Sequence, residues 1–143
     1  MTNADMARSY LQQAEQILLE AKGLNRRRAW NLVVRRSQEV VELALKATLR
    51  DIGIEALKTH DVGQLLRGHQ DKFLASFRRQ VEKLAAISRR LRMEREVSFY
   101  GDEETGASPQ ELYSREDAAG YLKEASYVLD QCLTFLEGRK RKP

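Results

Sequence analysis

Between Met1 and Glu96 the apolar residues recur three and four positions apart, no strand-length stretch alternates with period two, and the first proline is Pro109. That spacing dictates amphipathic helices, because 3.6 residues per turn bring such positions onto one face. Tyr10, Ala14, Ile17, Leu18 and Ala21 form the stripe of a first helix over about residues 5–22, with Gly23 and Asn25 as its stop. A second helix is expected from Arg27 to Ile52, its stripe Trp30, Val33, Val34, Ser37, Val40, Val41, Ala44 and Leu45, with Gly53 as C-cap. Leu32 and Leu43 fall on its opposite side, among Arg35, Glu39, Glu42 and Lys46. Such a helix, ~40 Å long, is a good dimerisation element, so a homodimer is expected.

Thr59-His60-Asp61 opens a short helix through Leu65 and Leu66 that ends near Gly68. Asp71 caps a long helix with the stripe Phe73, Phe77, Val81, Leu84, Ser88 and Leu91. From Val97 to Tyr113 the pattern fails among Gly101, Gly106 and Pro109, which reads as a loop. The last helix starts at Ser114, with Asp117 completing a capping box. Its stripe is Ala118, Leu122, Ala125, Leu129, Cys132 and Leu136, and Gly138 is its expected stop. The fold class is therefore all-α: an up-and-down four-helix bundle with one extra short helix, one domain over residues 1–138 and a basic tail over 139–143.

Composition narrows the function classes. At 143 residues and 42% hydrophobic content, the chain supports one core without a disulfide or metal staple. A single cysteine, Cys132, rules out an internal disulfide or a Cys-rich zinc site, and its place on the apolar stripe makes it a small buried hydrophobe. No apolar run approaches the ~18–20 residues of a bilayer span, and Met1–Asp5 lacks the features of a signal peptide, so a soluble, cytoplasmic protein is expected. The net charge of +4 is carried by Arg139, Lys140, Arg141 and Lys142; the rest of the chain is balanced. The basic character thus belongs to a solvated tail, which offers at most weak nucleic-acid affinity.

Few residues carry recognisable chemistry. Arg95 stands eighteen residues after Phe77, a separation of five helical turns, and so returns to the core-facing side. An arginine there must pair, exit at the helix end or face a cavity. The structural alternative is a cap, or pairing with Asp102, Glu103 and Glu104 just downstream. The basic run Arg78, Arg79, Lys83, Arg89, Arg90 and Arg92 similarly invites neutralisation by the acidic segment 97–117. His60 and His69 lack any metal-ligand spacing, so no metal and no cofactor are expected. Glu42 and Lys46 have the i, i+4 order of a helical ion pair.

The run Ser37-Gln38-Glu39-Val40-Val41-Glu42-Leu43-Ala44-Leu45-Lys46-Ala47, then Gly53 and Thr59-His60-Asp61-Val62, resembles the HEPN domain (higher eukaryotes and prokaryotes nucleotide-binding). Tyr10-Leu11 in the first helix and Tyr100-Gly101-Asp102-Glu103 extend the likeness over roughly residues 5–137. The resemblance implies a dimerising four-helix bundle, commonly paired with a minimal nucleotidyltransferase in toxin–antitoxin-like systems. It also implies, for many members, metal-independent ribonuclease activity from an Arg followed four to six residues later by a His at the dimer interface. Arg95 matches the Arg; the window behind it holds Ser98, Tyr100 and Asp102 but no histidine. Attack by an RNA 2′-hydroxyl favours a base titrating near neutrality, and an ordinary tyrosine (~10) or aspartate (~3.9) is far from that. The expectation is a homodimeric binding module for nucleotide, RNA or a nucleotidyltransferase partner, with no membrane. Its groove is lined by Arg95, Ser98, Tyr100, Asp102, Glu42, Lys46 and His60. The alternative is an endoribonuclease with Arg95 and Tyr100 as catalytic candidates.

Overall fold

The computed structural model describes residues 1–56, 58 and 61–140. The expected helices form where the stripes lie. α1 spans Asn3–Arg26, opened by a capping box in which Thr2 Oγ1 accepts from the Asp5 N–H while the Asp5 carboxylate accepts from the Thr2 N–H. After a tight turn at Arg28, α2 covers Trp30–Asp51, and Gly53 follows with φ +88°, a conformation glycine adopts without strain. α3 covers Val62–Gly68, with Asp61 as its N-cap. Thr59 and His60, which the sequence reading placed at its entry, lie outside the described residues, as do Arg141–Pro143 of the basic tail.

The long helix expected from Asp71 is instead broken. A 3-10 turn at Gln70–Lys72 leads to extended backbone at Phe73 and Leu74, then to α4 (Ala75–Arg78) and α5 (Val81–Glu94). The cause is aromatic packing. Phe73 and Phe77 both close on Phe135, with centroids 5.4 and 4.8 Å away, which draws the chain toward the last helix. Residues 97–113 are also not plain loop. They hold α6 (Val97–Tyr100), an isolated bridge between Asp102 and Ala107, and α7 (Pro109–Leu112). α8 then spans Arg115–Lys140, and the Ser114–Asp117 capping box forms with bonds of 3.0 and 2.9 Å.

Two glycines expected to stop helices do not. α1 continues past Gly23 and α8 past Gly138, where Leu74 packs 3.3 Å from where a Cβ would stand. The described residues hold helices and no strand of a sheet. α2 runs through the middle, packed against α1 and α8 and also against α5 and α6, with α6 meeting its N-terminal half. Leu45 and Leu49 of α2 are fully buried, as are Leu66 of α3 and Leu84 and Leu91 of α5. Leu32 and Leu43 are not stranded on a bare face; both are half-buried and Leu43 packs on the core. No helix among the described residues is long and apolar enough to cross a membrane.

Candidate functional site: a polar joint between α2 and α5–α6

Arg95 is the C-cap of α5, and the chain stays helical through Glu96 into α6, so α5 and α6 meet at this residue. The joint sits against the polar side of α2, where Asn31, Arg35, Gln38, Glu42 and Lys46 recur at helical spacing. Two donors fix its backbone: Arg35 Nη1 at 2.7 Å and Ser98 Oγ at 3.1 Å both donate to the Arg95 carbonyl. Asn31 Nδ2 donates to the Ser98 carbonyl at 3.1 Å. These bonds satisfy carbonyls that a helix end would otherwise leave orphaned away from water. Arg35 also lies over the Phe99 ring, 4.8 Å from its centroid, and 3.7 Å from Glu39.

The side chain of Arg95 turns to α2. Its Nη1 donates to Gln38 Oε1 at 2.7 Å, and Gln38 Nε2 donates onward to Glu42 Oε1 at 3.3 Å. Glu42 in turn stands 3.5 Å from Lys46. Gln38 is only 3% exposed, so its amide is a fixed post rather than a mobile surface group. Arg95 itself remains 37% exposed, and its other near partner, Glu96 at 3.8 Å, is 71% exposed. Such a surface ion pair is worth only a few tenths of a kcal/mol to about 1 kcal/mol, and an incoming anion displaces it readily. Nη2 makes no protein hydrogen bond among the described residues. The arrangement holds one side of a guanidinium and presents the other, as bidentate capture of a phosphate or carboxylate requires.

The sequence-derived site residues divide accordingly. Arg95, Glu42 and Lys46 are brought into one hydrogen-bonded and ionic chain through Gln38. Ser98 is fully buried and acts on the backbone, so it is unavailable to a ligand. Tyr100, 67% exposed and packed edge-on against Phe99, stands at the surface beside the joint. Asp102 turns away from Arg95: its carboxylate accepts from the Glu104 N–H at 3.0 Å and its backbone closes the turn to Ala107. The acidic loop is therefore not the partner of Arg95. Nor, among the described residues of one chain, does it pair with the basic helix, where Arg90 pairs with Glu124 and Arg89 with Asp61. His60 lies outside the described residues, and His69 is the half-buried C-cap of α3. Among the described residues no group of His, Cys, Asp and Glu is arranged to hold a metal ion.

Gln38, Arg35 and Asn31 are the residues that sequence reasoning missed. A signal for Gln38 existed, since it precedes Glu42 by four residues and Lys46 by eight on the same face. Behind the joint, the half-buried Glu94 and Tyr121 adjoin the buried Tyr113 and the exposed Asp117. Burial pushes the Glu94 carboxyl above its usual range, and the Asp117 charge adds to the shift. Burial likewise raises the Tyr113 hydroxyl, whose buried oxygen completes no hydrogen bond of normal geometry.

A family model described as HEPN domain matches residues 7–135. The chain belongs to the HEPN domain family. The domain is a nucleotide-binding or ribonuclease-type module, and in this HEPN domain the match takes in α2, the joint at Arg95 and nearly all of α8. No curated protein and no solved structure matches the chain.

Proposed function

We propose that this HEPN domain is a homodimeric binding module that takes a nucleotide or RNA phosphate at Arg95 without cleaving it. On this reading it works in the cytoplasm beside a minimal nucleotidyltransferase, in a toxin–antitoxin-like pair. The bundle is the up-and-down set α1, α2, α5 and α8. The observation that carries the reading is the half-engaged guanidinium: Gln38 holds Nη1 at 2.7 Å, Nη2 makes no hydrogen bond among the described residues, and only the exposed Glu96 stands near Nε, at 3.8 Å. Just past it in α6, Phe99 and Tyr100 are exposed, an apolar rim of the sort that marks interaction surfaces and that a second copy would cover. The residues behind Arg95 that replace the family's histidine, Ser98, Tyr100 and Asp102, are respectively buried, exposed and locked in a turn, so none is set beside Arg95 as a base.

The test is binding of a fluorescein-labelled RNA oligonucleotide by anisotropy, with electrophoresis of the same RNA after incubation in EDTA and light scattering for mass. The expected result is a dimer that binds intact RNA, with affinity falling about tenfold in Arg95→Ala while the dimer persists. Wild-type protein that binds no RNA, or binds it as well after Arg95→Ala, overturns the reading. RNA cleavage in EDTA that disappears with Arg95→Ala transfers the site to the endoribonuclease reading.

A further inference from the structure

Asp61, Ser88, Arg89, Arg92 and Met93 line a hollow of about 190 Å³ between the start of α3 and the outer face of α5. Its walls are held at a fixed separation. Gly63 of α3 lies so close to α5 that a Cβ there would come within 2.8 Å of the Ala85 methyl carbon. Arg89 leans toward Asp61 at 3.6 Å, and the other oxygen of Asp61 accepts from the Gln64 N–H at 3.2 Å. Asp61 is thus occupied on both oxygens and orients Arg89 across the hollow. Arg92 is exposed and forms no ion pair among the described residues.

Size and phase decide what fits. The volume far exceeds the ~30 Å³ share of one water and falls below the ~300–1,000 Å³ of ligand pockets, so a phosphate group enters but a whole nucleoside does not. Arg92 precedes Arg95 by three residues, which is about 4.5 Å of rise and about 60° of rotation. The hollow therefore begins on the turn of α5 just before the joint, and the next arginine, Arg89, continues in the same direction.

We infer that this hollow is a second phosphate subsite, where Arg92 and Arg89 take a neighbouring phosphate of the strand whose first phosphate meets Arg95. The inference rests on the phosphate reading of Arg95 and adds to it a requirement for at least two linked phosphates. Arg92 and Arg95 engage successive groups, Arg89 closes the far side and Ser88 forms the floor.

The experiment compares adenosine monophosphate with a fluorescein-labelled hexauridylate, each titrated against wild-type, Arg92→Gln and Arg95→Gln full-length chains at several salt concentrations. Arg95→Gln weakens both probes. Arg92→Gln leaves adenosine monophosphate unchanged, weakens hexauridylate about tenfold, and reduces the slope of log affinity against log salt by about 0.7, one single-strand phosphate contact. An Arg92→Gln chain with unaltered hexauridylate affinity and slope overturns the second subsite while the effect of Arg95→Gln stands. Equal weakening of both probes by Arg92→Gln overturns the two-phosphate arrangement, and a wild-type chain that binds neither probe overturns both proposals.

Discussion

Replacing Gln38 by leucine tests whether the α2 amide is what aims Arg95. The substitution nearly conserves volume at a site only 3% exposed, so no sizeable cavity forms. It removes the 2.7 Å bond from Arg95 and the 3.3 Å bond to Glu42. A hydrogen bond to a charged group contributes about 1.5–3 kcal/mol when water is excluded. Here Arg95 is 37% exposed and Glu42 keeps Lys46 at 3.5 Å, so solvent and the remaining partner recover much of that. The net loss is about 1 kcal/mol, which lowers Tm by about 3 °C for a chain of this length. Circular dichroism melts read that shift, and anisotropy with labelled RNA reads the second effect: a guanidinium released from its post binds more weakly. Gln38→Glu keeps an acceptor facing Arg95 but sets a second buried carboxylate against Glu42, where the amide now donates at 3.3 Å, so it lowers Tm as well, and its charge competes with phosphate and lowers RNA affinity. A Gln38→Leu protein with wild-type Tm and wild-type RNA affinity refutes the reasoning. So does a Tm loss above about 10 °C, which would make Gln38 a core residue first.

Two further outcomes follow from the packing. Glu94 has a folded pKa above its unfolded value of 4.5 because burial disfavours the carboxylate, so its contribution to stability is greatest at low pH and is lost as pH rises above 4.5 toward the raised value. Glu94→Gln therefore raises the urea midpoint at pH 7 and flattens the fall in stability above pH 4.5; an unchanged pH profile rejects this. Gly63→Ala drives a methyl against Ala85 at the α3–α5 contact and costs about 1–3 kcal/mol by urea unfolding, whereas a neutral result means α3 shifts freely.

Much of the fold was legible because stripes survive in sequence whatever packs on them. α1, α2, α3 and α8 stand where periodicity puts them, and the Ser114–Asp117 box forms as its residue types require. The break before α5 was illegible for a definite reason. Phe73, Phe77 and Val81 keep a spacing of four through it, so the period carries no trace of the extended backbone at Phe73 and Leu74. Gly23 and Gly138 misled because glycine ends a helix only where the chain turns, and both stay within helical backbone. At the site, the phase count that singled out Arg95 runs from Phe77 across the break between α4 and α5, and the residue stands as the C-cap of α5 with 37% of its side chain exposed, the cap that the sequence offered as the alternative. Its acceptor was not legible, since a glutamine on α2 reads equally as a solvated residue until α5 arrives beside it. Asp102 misled through proximity in sequence: a carboxylate two residues from the Glu104 amide satisfies its own turn first.

The Arg95 carbonyl receives both Arg35 and Ser98, and Asn31 holds the Ser98 carbonyl, so most of what moors the joint between α5 and α6 ends on main-chain acceptors. The side chain at that position adds only its single hydrogen bond to Gln38. Mutation can rewrite its chemistry, erasing the cation or substituting another reactive group, while the scaffold that displays it stays put.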